Sequence, residues 1–330
     1  MASSLIGLVK QVFPGKPNFK QDDLPDLTNK VIIVTGSNTG VGKELAQILY
    51  ARNAHVYVMA RSEDKSQKAM DDIRAAVPQS QGRLTFLRLD LADLPAVKAA
   101  ANEFTRREQR LDVLFHNAGV AFPEAGSRTA QGTELVLGVN VLGPFLLTRL
   151  LTPMVEATAA LPSSPKGSVR VVWVASSAAE AVSPKALKGA LAGWEGLSKP
   201  NQYFYSKLCN YLHAAEFAAR HRGEHILSAS LNPGNLDSEL WRTQGRVTLF
   251  LMRKTILYPS VYGAYTCLFA GFSPEINLET TGSHVAPWGR LWQGHISKEM
   301  ADAGKRKSEG GSGIASEFWD WSEEQIKQYL

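Results

Sequence analysis

The apolar positions of this chain alternate between two periods. Val31-Ile32-Ile33-Val34-Thr35 is a β-branched run that stops at Gly36, as expected for a strand buried on both faces. From Val41 the spacing turns helical, with Leu45, Ile48 and Leu49 on one stripe. The pattern then predicts a strand at 55–60, a charged helix at 63–77, a strand at 84–89 and a helix at 94–108. It continues through a strand at 112–115, a long helix around 131–152, a strand at 169–175, a helix at 202–221 and a strand at 226–231. Strands alternating with helices specify an α/β fold, a doubly wound parallel sheet with right-handed crossovers and helices on both faces. No break in composition and no repeat divides it. The expectation is a single Rossmann-type domain over 29–290, a lead-in at 1–28 and a helical extension at 291–330.

Several segments interrupt the alternation. Residues 160–168 are a turn-rich connection, and 178–201 make a long excursion between strand and helix. Residues 235–272 are apolar and aromatic, and together with the excursion they are expected to wall a substrate site. Trp194, Leu197, Phe204, Trp241, Phe250 and Tyr258 are candidate pocket surfaces, with plain core as the competing role. The stretch 255–272 reads as a buried or pocket-covering helix sooner than a membrane span. Leu5, Ile6, Leu8, Val9, Val12 and Phe13 recur at roughly helical spacing, but Lys10 interrupts them and Pro14-Gly15 ends them. This is too short to span a bilayer; packing on its own domain is expected, with a membrane surface as the alternative. Residues 305–313 read as a flexible loop, and Ser322-Glu323-Glu324-Gln325 as a capping box opening a last helix to Leu330. The 202–221 helix is apolar or small nearly all round, so both its sides should be covered. A partner helix in a homodimer and the chain's own C-terminal extension both answer that need.

Composition narrows the class. With 44% hydrophobic and 20% charged residues, the chain of 330 residues is neither disordered nor fibrous. Its net charge of +5 is spread along the sequence without a block, which gives no argument for nucleic acid but suits a cofactor phosphate. Cys209 and Cys267 have neither metal nor redox spacing, so no metal is expected and a reducing, cytoplasmic setting is the default.

The candidate chemistry begins at the turn after the first strand. Gly36, Ser37, Asn38, Thr39, Gly40, Val41 and Gly42 form a glycine-rich passage into a helix, where backbone N–H groups and the helix N-terminus can cradle a pyrophosphate. After the second strand comes Met59-Ala60-Arg61 with no acid until Glu63. A site for NAD needs a carboxylate there, whereas Arg61 offers a permanently charged fork to a 2′-phosphate, so NADP(H) is the expected cofactor. Within Tyr203-Phe204-Tyr205-Ser206-Lys207, Tyr203 and Lys207 lie about 40° apart on one helix face, while Tyr205 is about 200° from Lys207. Tyr203 is therefore the tyrosine whose pKa a lysine ammonium could lower.

The G-x-x-x-G-x-G spacing after Thr35 resembles the T-G-x-x-x-G-x-G motif of the short-chain dehydrogenase/reductase family. Further likenesses follow in order. Asp90-Leu91 closes the third strand like the family's adenine-contacting acid, and His116-Asn117-Ala118-Gly119 resembles its N-N-A-G motif with histidine for the first asparagine. Asn140 stands where the family has a structural and catalytic asparagine. Arg170-Val171-Val172-Trp173-Val174-Ala175-Ser176-Ser177 aligns on R-I-V-N-V-S-S, which gives Ser176 the catalytic position and leaves Ser177 as competitor. Asn232-Pro233-Gly234-Asn235-Leu236-Asp237-Ser238 is similar to the P-G loop, where Pro233, Gly234 and a hydroxyl near Ser238 would meet the nicotinamide carboxamide. The resemblance covers about residues 28–290 and is closest to the retinol-dehydrogenase-like branch.

That resemblance implies hydride transfer between NADP(H) and a hydrophobic ketone, aldehyde or secondary alcohol. Ser176 would bind the substrate oxygen, Tyr203 exchange its proton, Lys207 hold the nicotinamide ribose and Asn140 a water. The departure is spacing: Ser176 and Tyr203 stand 27 positions apart, about twice the family's commoner interval. Two alternatives remain open, a catalytically silent NADP-binding sensor or scaffold, and the same chemistry located at a lipid surface.

Overall fold

In the computed structural model, residues 7, 9–237 and 255–330 are described. Strands β1 (Val31–Thr35), β2 (His55–Ala60), β3 (Arg83–Arg88), β4 (Val113–His116), β5 (Arg170–Val174) and β6 (Leu227–Leu231) fall where the pattern puts them. Two short strands extend the sheet, β7 (His284–Ala286) and β8 (Arg290–Leu291), giving the order β3-β2-β1-β4-β5-β6-β7-β8. All neighbours are parallel except β7 and β8. These last strands are too brief to read from alternation. Register holds them instead, with Ser230 opposite His284 and the Asn232 N–H donating to the Val285 carbonyl at 2.9 Å.

The sheet's two faces are apolar and each receives a layer of helices. Helices α1 (Gly40–Ala51) and α2 (Glu63–Ala76) bury Leu45, Leu49, Met70 and Ile73 on one face. On the other, α3 (Leu94–Arg107) and α4 (Leu135–Ala159) bury Val97, Phe104, Phe145 and Leu151 beneath Ile33, Leu114 and Trp173. Helix α4 begins with Leu135–Leu137, passes through a π-helical segment, Gly138–Leu142, and runs on to Ala159. It is long and apolar enough to cross a membrane, yet 83% of its most apolar window is buried inside the fold, as a core helix requires. Residues 131–134, expected to be its first turn, precede it: Glu134 is its N-cap and accepts the Leu137 N–H at 3.0 Å.

The excursion after β5 holds a 3₁₀ turn (Ser177–Ala181) and the short helix α5 (Leu187–Ala192), then enters α6 (Lys199–Arg220). Most of it is exposed or half-buried, but Trp194 takes the competing role of core. Trp194 is buried with Leu187 and Ala190 against Tyr205, Leu208 and Leu212 on the outer side of α6, and its Nε1 donates to Glu134 at 2.8 Å. A chain returning over a helix can satisfy a large ring by burying it, and that outlet won here.

Helix α7 (Ser260–Phe272) takes the buried role of the two expected for 255–272. It lies in the core layer with α1, and a Cβ on Gly263 would come within 2.9 Å of Val41. Trp241, Phe250 and Ser238 lie outside the described residues.

The C-terminal extension contributes α8 (Lys298–Ala303) and α9 (Ile314–Ile326). Met300, Ala303, Ala315 and Phe318 complete the cluster over α6, so this helix is covered by its own chain. The expected capping box does not form. Ser322 lies inside α9, fully buried, where its hydroxyl donates to the Phe318 carbonyl at 2.9 Å and meets His213 at 3.1 Å. The 305–313 loop is also more ordered than its composition suggests, since it carries a 3₁₀ turn, Lys307–Glu309, and Arg306 binds buried Glu216.

Candidate active site

The chain leaves β1 toward β2 and β3, then returns to β4 on β1's other side. The strand order reverses between β1 and β4, and the carboxyl ends of these strands are where a sheet of this kind binds ligands. Gly36 and Gly40 turn there at φ of +66° and +53°, conformations that cost an L side chain energy. A Cβ on Gly40 would meet nothing within 4 Å, so open space lies beside the first turn of α1 and its unpaired N–H groups. A Cβ on Gly42 would strike Asn117 Nδ2 and the Gly36 carbonyl at 2.6 Å, so that glycine serves close packing. Ser37 turns inward, its hydroxyl donating to the Val34 carbonyl at 2.7 Å, which leaves its backbone for a ligand.

Thr35 ties this turn to the one after β4. Its hydroxyl oxygen accepts the N–H groups of Asn117 and Ala118, each at 3.0 Å, and the Asn117 amide donates to the Thr35 carbonyl at 2.9 Å. Asn117 is thus a brace for the glycine turn. His116, in place of an asparagine, is buried with Nε2 2.6 Å from the Thr148 hydroxyl, and burial pushes it down to about 3, so it stays neutral.

Gly119 closes the gap between the two halves of the site. A Cβ there would sit 3.2 Å from Asn140 Oδ1 and 3.5 Å from Lys207 Nζ. Asn140 lies in the π-helical segment, with its buried side chain beside Gly119. Its amide donates to the Val120 carbonyl at 2.9 Å and to Ser206 at 3.0 Å, while Oδ1 accepts the Val120 N–H at 2.8 Å. One lone pair of Oδ1 is left to hold a water.

Tyr203 and Lys207 share one face of α6, and Lys207 Nζ lies 5.6 Å from the tyrosine ring centroid. Tyr205, by contrast, is packed in the core over the opposite side. The lysine donates to the Val174 carbonyl at 3.0 Å, which spends one of its three donors. The electrostatics differ from the expectation. Burial pushes the Tyr203 hydroxyl up to about 12, and burial pushes Lys207 down to about 8. The ammonium sits over the ring, and desolvation dominates the tyrosine.

Ser176 lies near enough to Tyr203 for its hydroxyl to work against that rise, despite the 27-residue spacing. Ser176 also accepts the Ala178 N–H at 3.2 Å as N-cap of the 3₁₀ turn. Sequence reasoning missed Phe122, whose ring centroid lies 5.5 Å from that of Tyr203 and whose backbone has φ +51°, strained for a bulky residue. Only its place three residues after Gly119 could have flagged it.

The remaining predicted positions lie along the same edge. Arg61, after β2, is exposed and has no ion-pair partner among the described residues; Arg88, opposite Ala60, adds a second exposed cation. Asp90 accepts its own turn's Ala92 N–H at 2.9 Å, and Leu91 is packed into the core. After β6, Gly234 takes φ +89° next to Pro233. Free donors at a helix N-terminus, an exposed arginine and a lysine with donors to spare fit a phosphorylated dinucleotide stretched from β2 to β6.

Known proteins resemble this chain in sequence and in fold. A family model described as short chain dehydrogenase matches residues 30–188. A short-chain dehydrogenase/reductase of Phomopsis amygdali is 47% identical, with 99% of this chain and 98% of the relative covered. Another, from Neocamarosporium betae, is 46% identical over 97% of this chain and 93% of its own. The chain belongs to the short-chain dehydrogenase/reductase family. Among solved structures, an uncharacterized protein from Mycobacterium paratuberculosis aligns with TM-score 0.66 at 25% identity, covering 94% and 97% of the two chains. An NADP complex of RhlG from Pseudomonas aeruginosa aligns at 0.62 and 22% identity over 80% and 96%, and an NADPH-bound carbonyl reductase from chicken fatty liver at 0.58 and 20% over 80% and 99%. These two share the fold.

Proposed function

We propose that the protein is an NADP(H)-dependent oxidoreductase acting between a hydrophobic ketone or aldehyde and the corresponding alcohol. The observation that carries this reading is the convergence of Ser176, Tyr203, Lys207 and Asn140 at the end of the edge that begins at the glycine turn. The bound nicotinamide supplies or accepts the hydride. Ser176 and Tyr203 aim hydroxyl groups at the substrate oxygen, where negative charge develops during reduction. Because burial holds the Tyr203 hydroxyl high, the phenol is protonated near neutrality and ready to donate. Lys207 holds the ribose with its remaining donors, and Asn140 keeps a water in line with Lys207 for reprotonation. Phe122 beside Tyr203 offers the substrate an apolar surface.

The NADP(H) preference rests on Arg61, exposed at the end of β2, without an ion-pair partner among the described residues, and with no acid until Glu63 to take a ribose hydroxyl. The NADP and NADPH named with the two structural neighbours are consistent with it. Fluorescence titration tests it: NADPH should bind more tightly than NADH, and Arg61→Ala should weaken NADPH by about 10- to 100-fold while leaving NADH nearly unchanged. Tighter binding of NADH by the wild-type chain would overturn the assignment. A panel of apolar carbonyls then separates an enzyme from a silent sensor, which would bind NADPH without consuming it.

A further inference from the structure

Three side chains outside the reaction scheme form a directional hydrogen-bonded chain between two loops of the site. Gln11 lies in the helical turn at residues 9–12 and is only 5% exposed, while Val9 and Phe13 on the same turn are 52% and 56% exposed. Its Nε2 donates to Glu180 Oε1 at 2.8 Å, and its Oε1 accepts from Asn232 Nδ2 at 2.8 Å. Asn232 Oδ1 in turn accepts the Gly234 N–H at 3.1 Å.

The chain has one sense only. The Gly234 N–H is a donor and must face the Asn232 oxygen, which turns the Asn232 amide nitrogen to Gln11. Gln11 must then present its oxygen to Asn232 and its nitrogen to the carboxylate. Flipping either amide would set donor against donor or oxygen against oxygen in a buried place. Burial raises the Glu180 carboxyl, and the Gln11 donor acts against that rise.

Both ends of the chain reach residues of the proposed reaction. Gly234 belongs to the Pro233-Gly234 loop, and Glu180 to the 3₁₀ turn that Ser176 caps. We propose that Gln11 is a positioning residue that fixes the Pro233-Gly234 loop relative to the Ser176 turn, making the N-terminal segment part of the active-site scaffold. This rests on the oxidoreductase reading for what is positioned, but the linkage itself can be measured without turnover.

The test is hydrogen–deuterium exchange on the full unliganded chain, comparing wild type with Gln11→Leu, which keeps similar bulk and removes both bonds. Exchange should accelerate on the order of tenfold in residues 177–183 and in 232–236 together, with β1 to β4 unchanged. In a carbonyl assay, kcat should fall by a similar factor. Glu180→Leu should reproduce the effect in both segments, Glu180→Gln, which keeps an acceptor oxygen, should restore wild-type exchange, and Gln11→Leu with Glu180→Leu should be no worse than either alone. Acceleration confined to the N-terminal turn, or spread evenly through the sheet, overturns the proposal, as does additivity of the two substitutions. Should Gln11→Leu fail to fold, the two Glu180 variants decide it. Inactivity of the wild type toward every carbonyl would sink the oxidoreductase reading and leave the exchange result standing.

Discussion

Lys207 carries its charge where the fold gives it little compensation. It is buried, donates to one carbonyl and has no carboxylate partner among the described residues, and burial takes it from the ordinary 10.5 down to about 8. Between those values the unfolded chain holds a proton that the folded chain has released. The stability of the unliganded protein should therefore rise as pH goes from about 8 to 10.5, by on the order of 2–3 kcal/mol, a gain lost again as pH falls through 8. Over the same window kcat/KM for NADPH should fall, because the neutral amine no longer supports ribose and tyrosine. Urea unfolding and steady-state kinetics across this range check both signs, and Lys207→Met should abolish turnover while melting no lower than wild type. A flat kinetic profile through pH 8 would contradict the role given to the lysine. This residue was legible because a spacing of four on a helix fixes the face. Its electrostatics were not, because desolvation depends on what other segments cover the site, and that is a tertiary property.

Helix α6 is the element on which the site depends, and it is held from both sides. Its inner side lies on β5 and β6; its outer side meets the excursion, α8 and α9. At its far end Glu216, fully buried, accepts from Arg220 at 2.8 Å and from Arg306 at 2.8 Å, which clamps the C-terminal extension to the helix. Arg306→Ala should lower stability by about 1–3 kcal/mol, since it strips one partner from a buried carboxylate while Arg220 remains. Denaturant titration measures this, and an unchanged midpoint would show that the clamp is not needed. The apolar wrap of α6 was legible in Leu208, Leu212, Phe217 and their neighbours; the identity of the cover was not, because apolarity records burial without naming the partner. Trp194 and Ser322 show the same limit. A large ring fits a pocket wall or a core equally by type, and a serine three residues before a glutamine reads as a cap unless a buried histidine is known to stand opposite.

At the scale of the molecule, the site is an edge running from β2 through the switch point at β1 and β4 to β6. The glycine turn, Ala118-Gly119, Asn140 and Lys207 touch in sequence along it, so positions scattered over the chain become one surface. The six-strand core was legible because alternating strands and helices leave few topologies open. Strands β7 and β8 and the N-terminal link through Gln11 were not, since their signals are two or three residues long or a single amide. The central claim is that this edge ends in proton donation by Tyr203. It is tested most directly by single-turnover kinetics of wild type and Tyr203→Phe with saturating NADPH and an apolar carbonyl. The account predicts that Tyr203→Phe binds NADPH like wild type and consumes it at least about 100-fold more slowly; oxidation at the wild-type rate would contradict it.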